Sequence, residues 1–421
     1  MTEIVILEGR RTPFVRAHGR FKKFSNLELA THSVKALVKD SGIDPEKLGA
    51  LIYGHVVLDP RVPHLAREVV LQSGLPASIR AVSLNDNCIS ALSAAEYGVW
   101  MLQNTDREYA IIGGVESMSN PALMFSDSAR RIFLNANFAR STGERIKTFL
   151  KLRPRHFAPK APGVKEPSTG KSMGEHCEDM VKEWHIGREA QDEIAFNSHQ
   201  NAAYATQRGP LKDEIAALDG LDHDDTIRAD TTLAKLAKLR PAFDKSGSGT
   251  ITAGSSSPLT DGAASTLIAT REAAERDGFT PLAVIKDMEF AGILPEEGLL
   301  MAPALTVPRL LKRQNLTLED IDIFEIHEAF AGQVLCNIKA WEEGWKEPAI
   351  GKVDREKLNI YGGSIALGHP FAATGARIMT TLSHELKRSG KRYGLISICG
   401  AGATAGAFLL ENPNAGGKKE A

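Results

Sequence analysis

The stretch that decides the fold is Val82–Gly98, VSLNDNCISALSAAEYG, in which an apolar strand gives way to a polar turn and then to a helix of small residues. It places Cys88 at the start of that helix, where a thiol feels the partial positive charge and free N–H groups of the helix end. A free thiol titrates near ~8.5, so making thiolate the major form needs a depression of roughly 1.5 units, about 2 kcal/mol. The helix start supplies part of that and a basic partner must supply the rest. By itself the segment supports a plainer reading, because a cysteine beside Ile and Ala is ordinarily a small buried hydrophobe.

Outward from Cys88, the C-terminal third adds its partners. NIYGGSIALGHPFAATGARI (359–378) sets His369 just after a glycine-rich turn and before a helix. YGLISICGAGATAGAFLLE (393–411) ends an apolar strand at Cys399, followed by Gly400, Ala401 and Gly402. FEIHEAFAGQVL (324–335) puts His327 and Glu328 after the strand IDIFEI. In α/β proteins such strand ends gather on one side of the sheet, where ligands bind. A zinc helix would need a second histidine four residues after His327, and position 331 is Ala, so no metal is expected. Cys177 and Cys336 stand alone and read as packing residues.

The rest of the chain fits an α/β enzyme. Strands such as ALIYGHVV (50–57) and YAIIGGV (109–115) alternate with helical text such as LELATHSVKALVKD (27–40), and the rhythm returns from about Leu282. Each half carries a cysteine at a strand-to-turn junction, which hints at a repeat. With 421 residues, 43% hydrophobic and 24% charged, the chain can bury a large core in two or more domains. A net charge of −1 does not suggest nucleic acid. Four unpaired-looking cysteines, a first strand at Ile4 and no apolar run of ~18 residues point to a cytoplasmic protein without a transit peptide or membrane span. In 175–207, Trp184, Ile194, Phe196 and Tyr204 read as core, and His176, His185 and His199 as surface. NPNAGGKKEA (412–421) reads as a disordered tail.

Segment 126–160 carries nine basic and two acidic residues, a net of +7 in a chain of net −1. Ser141 and Glu144 have capping-box spacing, Pro154 limits the helix, and Ile146, Phe149 and Leu150 would share one face among Arg145, Lys147 and Lys151. One reading is a solvated basic helix packed on the core. The other is a docking surface for an acidic partner or an anionic membrane, and we expect that one.

Taken in order, these segments resemble the thiolases nearly end to end. IVILEGRRTPF, NDNCISA, YAIIGGVESMSNPA, IRADTTLAKLAKLRPAF with GTITAGSSSPLTDGAAS, HEAFAGQ, GGSIALGHPFAATGAR and CGAGATAG stand where that family has its motifs. His327, where many members carry Asn, is similar to the thiolase (β) subunits of fatty-acid-oxidation trifunctional complexes. The resemblance implies a five-layer αβαβα sandwich, with residues 1–120 and 246–281 forming the N-terminal half, 121–245 a loop domain, and 282–421 the C-terminal half. It implies Cys88 as nucleophile, His369 as its base and Cys399 as a second acid/base. His327 and His369 would hold the thioester oxygen, the backbone N–H groups of Cys88 and Ala401 would form a second oxyanion hole, and Ser257 would contact coenzyme A. The expected reaction is thiolysis of 3-ketoacyl-CoA in β-oxidation, with coenzyme A as substrate and no permanently bound cofactor. The alternative is acetoacetyl-CoA thiolase working in the condensing direction. A decarboxylating ketosynthase pairs its Cys with two histidines and lacks a Cys399, and a non-enzymatic scaffold would not need all four side chains. A homodimer or tetramer is expected, with a hydratase/dehydrogenase subunit or a membrane as candidate partner for 126–160. Ala91, Ala403, Ala405 and Ser255 depart from the family pattern, and Ala takes positive φ only at a cost.

Overall fold

The computed structural model describes residues 2–160, 163 and 165–415. Ten strands form it: β1 (Ile4–Arg11), β2 (Val15–Arg16), β3 (Leu48–Gly54), β4 (Arg80–Leu84), β5 (Tyr109–Glu116), β6 (Thr260–Thr270), β7 (Ala283–Gly292), β8 (Ile323–Ile326), β9 (Tyr393–Gly400) and β10 (Thr404–Glu411). They join in the order β4-β3-β5-β6-β1-β7-β10-β9-β8, with β2 on β6. The sequence repeat hinted at above is present in the pairing. β3 and β5 are parallel while β6 runs antiparallel to β5 and β1; likewise β8 and β9 are parallel while β10 runs antiparallel to β9 and β7. The two cysteines are not repeat partners, however. Cys399 stands near the end of β9, whose counterpart β5 ends in Glu116, whereas Cys88 precedes the helix Ser90–Asn104.

The two halves meet at a narrow seam. β1 lies between β6 and β7, but it pairs with β7 only through Val5↔Val284 and Ile6↔Ala283. Successive side chains of a strand point to opposite faces, so each strand serves two layers. Val5 faces an outer core shared with Leu29, Val34 and Leu37 of the helix Asn26–Ser41. Ile4 and Ile6 face a central core, where Leu92, Val99, Ile378 and Leu382 come from the helices Ser90–Asn104 and Thr374–Ser389. A third core packs Val307, Leu311, Val334 and Ile338, from the helices Pro303–Gln314 and Ala331–Glu343, on Leu395 and Leu409. The result is helix–sheet–helix–sheet–helix, the five layers expected. It also explains the small residues after Cys88. A Cβ on Gly98 would come within 2.9 Å of both Ile112 on β5 and Ile268 on β6, so the inner helix must be slim on this side to lie so close to the first half's strands.

Residues 117–259 interrupt the first half between β5 and β6. There the sequence reading needs correction. His176 and His199 are buried, not surface residues, with His176 Nε2 2.6 Å from Thr169 Oγ1 and His199 Nδ1 accepting from the Arg228 N–H. His185 is exposed and Ile194 buried, as expected, but Tyr204 is 57% exposed rather than core. The helix Thr142–Phe149 starts at Ser141, whose side chain accepts from the Glu144 N–H, and none of its residues is buried. Cys177 and Cys336 lie in one apolar core. Of the expected tail, Asn412 is buried and donates to the Leu386 carbonyl; residues 416–421 fall outside the described residues.

Candidate active site

Cys88 sits on a one-turn 3-10 helix, Asn87–Ile89, between β4 and the helix Ser90–Asn104. The turn is stitched from both sides. Ser90 Oγ accepts from the Asp86 N–H and donates to the Asn87 carbonyl, at 2.9 and 2.7 Å. Asn87 adopts φ 49°, which Asn tolerates better than most residues, and its Nδ2 donates to the Ala401 carbonyl at 3.0 Å. That bond ties the Cys88 turn directly to the turn after Cys399.

His369 arrives from the opposite half. Its Nε2 is 3.1 Å from Cys88 Sγ and its Nδ1 2.7 Å from Thr374 Oγ1. The turn that follows, Phe371–Ala373, lies on the glycines of β5: a Cβ on Gly114 would come within 2.0 Å of the Ala372 carbonyl oxygen. Glu116, fully buried at the end of β5, accepts from the N–H groups of Val56, Val57 and Ala372. Burial raises its carboxyl to about 7. Sequence reading passed over Glu116; its signal was a single acid closing the otherwise apolar strand YAIIGGVE.

His327 lies beside His369, ring centroids 4.2 Å apart, with Nδ1 2.9 Å from Ser364 Oγ and Nε2 buried without a partner among the described residues. The adjoining Glu328 is an anchor. It accepts from Ser198 Oγ, Asn359 Nδ2 and the Ile365 N–H, locking the His327 segment to the glycine turn before His369. Cys399 is 1% exposed and close enough to Cys88 to be pushed up by it, after burial. The N–H groups of Ala401 and Cys88 approach the Cys88 sulfur. Ser257 is half-buried, its N–H bonded to the Ala329 carbonyl, between the His327 and His369 segments. Among the three small-residue departures only Ala403 takes positive φ (59°), behind Gly402, whose N–H donates to Glu166; Ala91 is helical and Ala405 lies in β10.

Burial opposes charge on the cysteines and histidines of the site. Burial pushes the Cys88 thiol up to about 12, against the help of the Ala401 N–H, and burial then Cys88 push Cys399 well above its ordinary value. Burial, then Arg377, pushes His369 down to about 3, and burial then His369 take His327 well below its usual range. Burial thus opposes charge on both partners of the 3.1 Å contact between Cys88 Sγ and His369 Nε2. Among the described residues there is no group of three or more His, Cys, Asp or Glu side chains placed to hold a metal.

The likeness extends over the whole chain. Residues 4–272 match the family model described as "Thiolase, N-terminal domain", and 279–412 match "Thiolase, C-terminal domain". The 3-ketoacyl-CoA thiolases of Enterobacter sp. (strain 638) and Yersinia pestis (strain Pestoides F) are each 39% identical, over 97% of this chain and 96% of theirs. Among solved structures, an acetyl-CoA acetyltransferase of Bacillus anthracis superposes with a TM-score of 0.86 at 31% identity, covering 98% of this chain and 99% of that one. Human mitochondrial 3-ketoacyl-CoA thiolase superposes at 0.84 with 29% identity over the same shares. With two halves wound alike and a Cys–His pair built across them, this chain belongs to the thiolase family.

Proposed function

We propose that this chain is a 3-ketoacyl-CoA thiolase, an acyltransferase of β-oxidation that cleaves 3-ketoacyl-CoA with coenzyme A. The observation that carries the reading is Cys88 Sγ at 3.1 Å from His369 Nε2, with Cys399 alongside. His369 takes the thiol proton and Cys88 attacks the 3-keto carbon, whose oxygen is met by the N–H groups of Cys88 and Ala401. The bond between C2 and C3 breaks, leaving the acyl group on Cys88 as a thioester. The acetyl-CoA enolate, its oxygen held by His327 and His369, takes a proton from Cys399. The second coenzyme A, with Ser257 along its chain, then attacks the thioester as its thiol proton passes to the Cys399 thiolate, and Cys88 leaves and regains its proton from His369. Incubation with acyl-CoA and peptide mass spectrometry should place the acyl mass on Cys88; finding it on Cys399 would reverse the two roles. Thiolysis assayed from four to sixteen carbons gives the chain-length preference.

A second reading, acetoacetyl-CoA synthesis in the condensing direction, has the 0.86 superposition on an acetyl-CoA acetyltransferase in its favour. It uses the same side chains, with Cys399 removing an α-proton. We further propose the division 1–120, 121–245, 246–281 and 282–421, with coenzyme A and partner contacts in the loop domain, and a cytoplasmic homodimer or tetramer. Among the described residues no helix is long and apolar enough to cross a membrane.

For residues 126–160 we propose a docking role toward an acidic hydratase/dehydrogenase surface or an anionic membrane. Support comes from apolar side chains left in solvent among the basic ones: Phe138 is 78% exposed, Leu150 71% and Ile146 56%. Replacing Lys147, Lys151 and Arg153 with Gln should weaken partner or vesicle binding in a salt-dependent way while short substrates are still cleaved. Arg145 is spared because its Nε bonds the Ala136 carbonyl. A sharp rise in KM for coenzyme A with unchanged docking would assign the charge to the substrate instead.

A further inference from the structure

We propose that His327 and His369 are held as opposite neutral tautomers, and that Ser364 with Arg377, and Thr374 with the Pro370 carbonyl, are the positioning groups that set them. The argument follows the protons. Arg377, 1% exposed, has Nη2 3.4 Å from Ser364 Oγ, and a guanidinium can only donate. Ser364 Oγ therefore accepts from it and has its own proton to place. Within the described residues the acceptor in reach is His327 Nδ1, at 2.9 Å. His327 then carries its proton on Nε2, the buried nitrogen that has no partner among the described residues. A buried N–H left without an acceptor is costly, so this donor is built for an oxygen that arrives from outside.

The neighbouring ring is wired the other way. Thr374 Oγ1 lies 3.1 Å from the Pro370 carbonyl oxygen and 2.7 Å from His369 Nδ1. The Pro370 carbonyl, which also accepts from the Ala373 and Thr374 N–H groups, gives the hydroxyl proton an acceptor, and Oγ1 can then accept from His369 Nδ1–H. Nε2 of His369 is left with a bare lone pair facing Cys88 Sγ at 3.1 Å, ready to receive the thiol proton. Burial keeps both rings neutral, as their lowered pKa values indicate.

The consequence lies in timing, and it rests on the thiolase reading. At rest the pair of rings offers one donor, on His327. Moving the Cys88 proton to His369 Nε2 makes that nitrogen a second donor, beside the first. The thioester oxygen thus gains its second hydrogen bond only once the nucleophile has been deprotonated.

The full-length enzyme labelled with 15N-histidine tests this directly, because ring nitrogens with and without a proton resonate far apart. His327 should show its proton on Nε2 and His369 on Nδ1, with signals assigned by single replacement of each histidine. That readout needs no turnover, so it is separate from failure of the wild type to cleave 3-ketoacyl-CoA, which would sink the function instead. Two variants give crossed kinetics. Ser364→Ala should slow exchange of acetyl-CoA methyl protons with deuterium about tenfold, the loss of one oriented hydrogen bond, and leave iodoacetamide alkylation of Cys88 unchanged. Thr374→Val should slow alkylation by a similar factor, and Ser364→Thr should restore exchange. Matching tautomers on the two rings, or equal losses of both rates in each variant, would overturn the proposal; if a variant does not fold, the wild-type spectrum decides alone.

Discussion

Gly114→Ala should disable the enzyme from a position that touches no substrate. The added Cβ would stand 2.0 Å from the Ala372 carbonyl oxygen and 2.5 Å from its carbon, both backbone atoms that no rotamer change can clear. Restoring a tolerable contact near 3 Å requires the turn to retreat by about 1 Å. Ala372 lies three residues beyond His369 and is also fastened to Glu116, so the displacement reaches the imidazole. A Cys88–His369 distance of 3.1 Å stretched by that amount is no longer a hydrogen bond. Misplacement of this size costs on the order of 100-fold in rate, about 2.7 kcal/mol, with a further 1–3 kcal/mol of stability lost to overpacking, roughly. The assay is kcat for thiolysis of acetoacetyl-CoA, paired with the rate of Cys88 alkylation and a denaturation midpoint. Gly143→Ala is the control, since nothing lies within 4 Å of its added methyl. Wild-type kcat in Gly114→Ala, or a lost kcat with unchanged alkylation, would refute the idea that β5 seats the His369 turn.

Cys399→Ala should retain acyl transfer onto Cys88 yet lose methyl-proton exchange on acetyl-CoA by at least about 100-fold, and wild-type exchange would remove Cys399 from the acid/base role. Asp224 accepts from both Nη atoms of the fully buried Arg11 and from the Phe14 N–H; Asp224→Asn should cost about 3 kcal/mol in denaturant unfolding, and a loss below about 1 would show that Glu214 alone suffices. His199, pushed down to about 4 by burial, is neutral when folded and titrates near ~6.5 when unfolded. Its contribution is thus complete above that value and declines as pH falls toward the folded one, by about 1.4 kcal/mol per unit. Between pH 7.5 and 5, His199→Asn should gain roughly 2 kcal/mol relative to wild type; a pH-independent difference would contradict the burial.

The cysteines and histidines that the fold brings together stood out in the sequence because each lies in a short run where a strand or loop gives way to a tight turn. Glu116 was not, since one acid at a strand end looks like an ordinary terminus until the turn packed against it is known. His176 and His199 were misread because chain outside their own helices covers them, at Thr169 in one case and Arg228 in the other, which hides polar positions that helical spacing alone would expose. Tyr204 failed in the opposite sense, an aromatic at helical spacing left in solvent. The alternation of strands and helices gave the layers, but nothing local could show that β1 and β7 share two residue pairs.

That placement of β1 governs how the chain can be made. Val5 pairs with Ala269 on one side and Val284 on the other, so β1, once synthesised, waits for roughly another 250 residues before either neighbour exists. At ordinary elongation speeds the wait is roughly 15–50 s. Throughout it IVILEGRR is an unpaired β segment, four of whose first five residues are fully or nearly fully buried apolar side chains once folded, which is the kind of exposed strand that invites pairing with another chain. Pairing of that segment within its own chain can begin only when β6 arrives.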